Sequence, residues 1–361
     1  MKRLSLFGGL GACALALALA GCAGKEDNTA STGTTPAPGS APSAPTATAG
    51  APRFKIITNG ISPFWDSMAK GMEAANKELH CDGTWIGPQN AEHNAQVKLM
   101  KEAIAAKMDG IAVSAIEADA LVGTINEAMD AGIPVITFDS DSPKSKRLAY
   151  IGTNNIAAGR TAGEETVKLF PNGGKLIAFV GNMGAQNARE RYEGFKEAIK
   201  GHNIEFLQDP FEDNKDKGRA RKNVEDAITK YGGQVNGFVG LYSYNGPAIV
   251  SAVQAAGLRD KVKIICFDGE PETLANLGKG LVDVTVVQKP YEFGRLSIKL
   301  LDLLKKNNKD IHAAIGQLKP ELDQLGMKVD GVNIDTGVEV VTPANAAPFL
   351  QKLKEKGLES T

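Results

Sequence analysis

The chain has 361 residues, with 41 basic and 42 acidic side chains and a formal charge of −1. That balance excludes a nucleic-acid surface, which needs a concentrated basic face. Four cysteines without C-x-x-C or zinc spacing, and four scattered histidines, argue against a metal centre.

The N-terminus reads as a targeting segment. Lys2 and Arg3 precede an uncharged Ala/Leu-rich run from Leu4 to Ala20, the pattern of a secretory signal. Its close, Leu19-Ala20-Gly21-Cys22, resembles a bacterial lipobox, which implies cleavage before Cys22 and a diacylglycerol on its thiol. An uncleaved anchor is the other reading, but the run is about 17 residues, short for a bilayer span. Either reading puts the body outside the cytoplasm. Loss of residues 1–21 takes the charge to 39 − 42 = −3. From Thr29 to Pro52 only Thr, Ala, Ser, Gly and Pro occur, so residues 22–52 are expected to form a disordered tether.

A globular composition begins near Arg53. Ten β-like runs alternate with helical spacing. They are Phe54–Thr58, Thr84–Ile86, Gly110–Ser114, Pro134–Asp139, Leu148–Ile151, Lys175–Gly181, Ile204–Leu207, Gly237–Leu241, Lys263–Asp268 and Val282–Val287. Helical patterns such as Ala95–Lys107, Ala120–Ala131, Arg189–Lys200 and Ala248–Ala256 fill the gaps. Continuous apolar runs such as GIAVSA and PVITF suit parallel sheets buried on both faces. Ten strands divide best into two sheets of about five. PVITFDSDSP (134–143) and KIICFDGEPE (263–272) echo each other, each a buried run ending in Phe-Asp, then a turn and a proline. The spacing predicts an α/β fold of two similar doubly wound parallel-sheet lobes.

Ligands of open parallel sheets bind beyond the carboxyl ends of the strands. The residues there are Asn59, Ser62, Phe64 and Trp65; Asp139, Ser140 and Asp141; Thr153, Asn154 and Asn155; Arg189 and Arg191; Tyr242, Tyr244 and Asn245; Asp268; and Gln288. Carboxylates and amides suit vicinal hydroxyls, an arginine offers forked donors, and aromatic faces cover the C–H side of a sugar ring. No nucleophile–base pair, phosphate loop or cofactor motif accompanies them. The set reads as a polyol site without cofactor or metal.

These positions resemble the periplasmic sugar-binding proteins of type I fold, the ribose binders in particular, over about Phe54 to Val341. In that family an aromatic pair after a proline clamps the sugar, matching Phe64 and Trp65. The Asp of IPVIT-x-D matches Asp139, and an Asn of the next segment matches Asn155. ARER-x-EGF is present from Ala188 to Phe195, with Arg191 as its binding arginine. FDG supplies Asp268, and a Gln before the hinge proline matches Gln288. The resemblance implies a monomer that delivers a monosaccharide or similar polyol to an ABC permease, tied to the membrane through Cys22. It implies lobes 53–153 plus 289–331 and 154–288 plus 332–357, joined near Thr153–Asn154, Gln288–Lys289 and Gly331–Thr336. Phe64, Trp65 and Asp139 fall on the first lobe; Arg191, Tyr244, Asn245 and Asp268 fall on the second. Ser62, Ser140, the Tyr244-Asn245 pair and the position near Asp213 where ribose binders place an aromatic depart from the ribose pattern and imply another ring or decoration. A sensor docking on a signalling receptor and a glycoside-active enzyme using Asp139 and Asp268 are the alternatives. EDNKDKGR (212–219) is expected to be a solvated turn, Arg189 a surface or structural residue, and KLLDLLKKNNKD (299–310) an amphipathic helix.

Overall fold

The computed structural model describes residues 50–89 and 92–361. The signal segment, Cys22 and residues 22–49 of the tether lie outside them.

The first run of elements is β1 (Arg53–Ile57), α1 (Phe64–Leu79), β2 (Asp82–Ile86), α2 (His93–Ala105), β3 (Gly110–Val113), α3 (Val122–Asp130), β4 (Val135–Phe138) and β5 (Tyr150–Gly152). The second is α4 (Asn155–Leu169), β6 (Gly174–Val180), α5 (Gln186–Ile199), β7 (Ile204–Phe206), β8 (Phe211–Glu212), α6 (Lys217–Tyr231), β9 (Gly237–Gly240), α7 (Asn245–Ala255), β10 (Lys263–Phe267), α8 (Pro271–Gly278) and β11 (Val284–Val287). The chain closes with α9 (Pro290–Lys306), α10 (Ile311–Gln324), β12 (Lys328–Asp330), β13 (Asn333–Asp335), β14 (Glu339–Val341) and α11 (Ala346–Glu355).

Two seven-stranded sheets result. One runs β12-β13-β5-β4-β3-β1-β2; the other runs β14-β11-β10-β9-β6-β7, with β8 also on β6. β7 pairs with the start of β6 and β8 with its end, so the two form one interrupted edge strand. The cores of the sheets therefore share one order, edge-first-third-fourth-fifth, as duplication predicts. Each sheet is larger than expected and mixed rather than purely parallel, because β12 pairs antiparallel with β13 and β14 antiparallel with β11. The added strands are two or three residues long (FE, KVD, NID, EVV), too short and polar to show as apolar runs.

Alternation along the strands explains the layering. Phe54 and Ile56 pack under α1 and α9, whereas Ile57, with Ile111 and Val113, faces α2 and α3. In the second sheet Ile177 and Phe179 face one core, and Leu176, Ala178 and Val180 the other. The helix pair on each inner face is set by glycines at the contact. A Cβ on Gly71 of α1 would stand 1.9 Å from the Tyr291 carbonyl oxygen, and one on Gly294 of α9 2.0 Å from that of Met68. Gly159 of α4 and Gly194 of α5 repeat the device at 2.1 and 2.0 Å.

The chain passes between the sheets three times: β5 into α4, β11 into α9, and β13 into β14. The third passage lies at residues 336–338, just beyond the expected Gly331–Thr336 segment, because Asn333–Asp335 still pair with β5. The tail after α11 also touches both halves. Ser67 Oγ of α1 donates to the Ser360 carbonyl at 2.7 Å, and Thr361 exchanges bonds with Gly269 after β10 at 2.8 and 3.1 Å. Cys81 and Cys266 are both free thiols.

Candidate interlobe binding site

Asp139 and Asp268 follow β4 and β10, the corresponding strands of the two sheets. Both adopt left-handed backbone, with φ of 57° and 64°. Asp tolerates that region better than most residues, and its use at buried positions marks strain retained for a role. Each main-chain carbonyl is held by a hydroxyl of the next strand: Tyr150 donates to Asp139 O at 2.8 Å, and Thr285 to Asp268 O at 2.6 Å. The carboxylates are 3% exposed. Asp139 Oδ2 accepts from Ser114 Oγ at 2.6 Å and from Asn59 Nδ2 at 3.2 Å, and Asp268 Oδ1 accepts from Gln288 Nε2 at 2.9 Å.

Arg191 on α5 is only 1% exposed. Its Nε donates to Asn155 Oδ1 at 3.0 Å and its Nη1 to the Leu241 carbonyl at 2.9 Å. The guanidinium lies 4.9 Å from the centre of the Phe267 ring and 3.9 Å from Asp268 Oδ2. Nη2 has no partner, nor does Gln288 Oε1. A buried donor or acceptor left unpaired is costly, so one of each in one place indicates atoms waiting for a ligand.

Pro63 starts α1, so Phe64 and Trp65 sit on its first turn. Their rings meet edge to face at 4.7 Å, and Trp65 also meets Phe138 at 5.7 Å. On the opposite wall Tyr244 OH donates to Asp213 Oδ1 at 2.6 Å, and Tyr242 OH to Asn187 Oδ1 at 3.0 Å.

These groups enclose a cavity of about 420 Å³, within the range of small-molecule sites. Burial governs its electrostatics. It pushes Asp268 up to about 6 against the pull of Arg191, Asp213 up to about 6, and Asp139 upward as well. It pushes Lys215 down to about 8, with Asp139 and Asp213 opposing. Three carboxylates, Asp139, Asp216 and Asp268, and three cations, Arg191, Lys215 and Lys217, line the cavity and cancel. Among the described residues no group of three or more His, Cys, Asp or Glu is arranged to hold a metal.

Residues 55–309 match the family described as "Periplasmic binding protein domain". The chain belongs to that family. This periplasmic binding protein is 26% identical over 328 residues to the xylose/arabinose-binding protein XylF of Sulfolobus acidocaldarius, covering 85% of this chain and 75% of the relative. It is 28% identical over 257 residues to the ribose import binding protein RbsB of Escherichia coli, covering 70% and 84%. A solved ABC transporter solute-binding protein from Burkholderia graminis, in complex with D-arabinose, superposes with a TM-score of 0.73 at 29% identity, over 83% of this chain and 97% of that one.

Of the residues expected at the site, Asn59, Ser62, Phe64, Trp65, Asp139, Arg191, Tyr244, Asp268 and Gln288 line the cavity of the binding protein. Three stand behind it. Asn155 is turned to Arg191 Nε, and Asn245 donates to Asp213 Oδ2 at 2.9 Å while capping the Tyr242 amide at 3.0 Å. Ser140 is buried in the turn after β4, and its hydroxyl has no partner. The 212–219 stretch is a largely exposed turn leading into α6, as expected, but that reading missed that Asp213 is buried and that Asn214, Lys215, Asp216 and Lys217 border the cavity. It follows β8, a two-residue strand that leaves no apolar signal, so the strand-end rule had nothing to act on. Gln89 was missed although its strand was expected, because it stands three residues past the end of β2, and Asn187 because α5 starts at Gln186, ahead of the expected Arg189–Lys200 pattern. Arg189 donates to the Met183 and Gly184 carbonyls at 2.9 and 2.7 Å and takes no part in the cavity.

Proposed function

We propose that this protein captures a neutral monosaccharide or similar polyol between its lobes and delivers it to an ABC permease. The observation that carries the reading is the cavity itself. Unpartnered Arg191 Nη2 and Gln288 Oε1 sit among two carboxylates of opposite lobes, beside the Phe64–Trp65 pair, with no net charge. Hydroxyls of a sugar both donate and accept, so one ligand satisfies all of these groups at once. Relatives named for xylose, arabinose and ribose make pentoses the first candidates.

The lobes in this reading are residues 53–153 plus 289–335 and 154–288 plus 336–357, turning about the three passages; the last boundary moves from 331/332 because Asn333–Asp335 pair with β5. A ligand that touches both lobes stabilises the closed form over the open one, and only that difference shifts the equilibrium. Asn59, Ser62, Phe64, Trp65, Asp139, Arg191, Tyr244, Asp268 and Gln288 contact the sugar; Asn155, Asn245 and Ser140 support them. The protein acts as a monomer, held to the membrane by a lipid on Cys22 through the 22–52 tether.

A thermal-shift screen of pentoses, hexoses and inositols, followed by calorimetry, tests this. One sugar should raise the melting temperature, bind one to one and be recovered intact. A folded sample that responds to none of them overturns the reading, and turnover of a glycoside would replace it with an enzyme.

A further inference from the structure

Lys215 has no place in a neutral sugar site built from Asp, Asn, Arg and aromatics, yet its surroundings are elaborate. Asn214 and Lys215 are consecutive non-glycine residues in the left-handed region, with φ of 53° and 63°. That costs on the order of 1 kcal/mol or more each, and persists only where neighbours impose it. Here they do. Asp213 Oδ1 accepts from Lys215 N at 2.8 Å and from Tyr244 OH, while Oδ2 accepts from Asn245. Asp213 N and Asn214 N donate to the carbonyls of Val180 and Gly181 at the end of β6, at 3.1 and 2.7 Å. Asp216 then caps α6 through Arg219 N at 2.7 Å. Glycine would suit this backbone better, so the side chain is what the turn is built to present.

That side chain crosses the cleft. Lys215 Nζ donates to the main-chain carbonyl of Asn59 at 2.7 Å, from a turn of the second lobe to the β1–α1 loop of the first. Asn59 in turn donates to Asp139 Oδ2. A continuous path therefore runs from the Asp213 hub, through Lys215, to the carboxylate of the opposite wall.

We propose that Lys215 is an interlobe latch, a positioning residue that favours the closed form before any ligand is bound and so raises the affinity of whatever the cleft takes. The bond to Asn59 exists only when the lobes are together. A contact present in one state alone shifts the population toward it, and apparent affinity rises with the competent fraction. An ammonium has three donors and the protein uses one, so closing leaves two N–H bonds beside the cavity. The latch does not depend on the ligand being a sugar.

The acceptor is a main-chain carbonyl, so the lysine is the partner to change. Small-angle scattering on the ligand-free full chain should give a larger radius of gyration for Lys215→Met than for the native protein. Lys215→Arg, which keeps a cationic donor, should restore the native value. Affinities for D-xylose, D-arabinose and D-ribose, by calorimetry, should fall about tenfold or more in Lys215→Met for any of them that the native protein binds. Equal radii for native and Lys215→Met overturn the latch, whatever sugar binds. So does an Lys215→Met variant that opens yet binds with native affinity. If no sugar binds, the sugar reading fails and the scattering result alone decides the latch.

Discussion

Replacing Asp268 by asparagine should separate the stability of the ligand-free protein from its capacity to bind. The carboxylate is 3% exposed, and burial pushes it up to about 6, with Arg191 and the Gln288 bond opposing. Its ordinary value is 3.8. Between these values the folded protein binds more protons than the unfolded chain, so stability falls as pH rises through that window. The difference, 6 − 3.8 or about 2.2, at 1.36 kcal/mol per pH decade comes to about 3 kcal/mol by neutral pH. Arg191 does not alter this sum, because its attraction is already contained in the shifted value. Asparagine has the shape of the neutral acid, tolerates the φ of 64° and keeps an oxygen for Gln288 Nε2. Asp268→Asn should therefore be more stable than the native protein by up to about 3 kcal/mol near pH 7, the gap closing toward pH 4. Urea unfolding of both proteins at several pH values measures it, and a sugar-induced melting shift seen in the native protein should be lost. A variant less stable near pH 7, by an amount independent of pH, would refute the reasoning. It would mean that Arg191 at 3.9 Å fully compensates the charge.

Both aromatics should matter for binding and folding: Phe64→Ala should weaken sugar binding tenfold or more in calorimetry and, since Phe64 is buried in the core, also lower stability. Trp65→Ala, which also empties a site against Phe138, should lose about 3–5 kcal/mol in urea unfolding besides. Asn155→Ala leaves Arg191 Nε without its acceptor, so stability should fall by about 1–3 kcal/mol and sugar affinity with it, although Asn155 does not line the cavity. Gly71→Ala places a carbon 1.9 Å from a carbonyl oxygen and should lower stability by about 1–3 kcal/mol or more, whereas Gly123→Ala, with nothing within 4 Å, should be neutral or slightly stabilising in the same thermal melts.

The legibility of the site followed strand length. Asp139, Asp268 and Arg191 stand after or beside long apolar runs, where period and composition mark the strand and the end rule then selects the residue. Lys215 stands after β8, whose two residues (FE) are too few to give the same signal, and Gln89 stands three residues past the end of β2, a strand that was legible. The third passage was displaced for a related reason. Asn333–Asp335 take their strand character from pairing with β5, which no local pattern encodes. Asn155 and Asn245 were legible as polar groups at the right place, but not as supports. Whether an amide faces the ligand or an arginine behind it depends on which neighbour competes for its oxygen, and that neighbour lies 36 residues away for Asn155.

The Phe-Asp echo has a physical meaning beyond repetition. In both sheets the fourth strand of the core order ends in an Asp forced into left-handed backbone and held by a hydroxyl from the fifth. The fifth strand then leaves for the other lobe, as β5 into α4 and β11 into α9. Each carboxylate is therefore anchored on the strand that forms the passage. Relative rotation of the lobes moves the two carboxylates with respect to each other while leaving each in its own socket. The strain is carried within a lobe, and the adjustable part is only the distance across the cleft. Under the proposed closure, a ligand that accepts both carboxylates reads that distance.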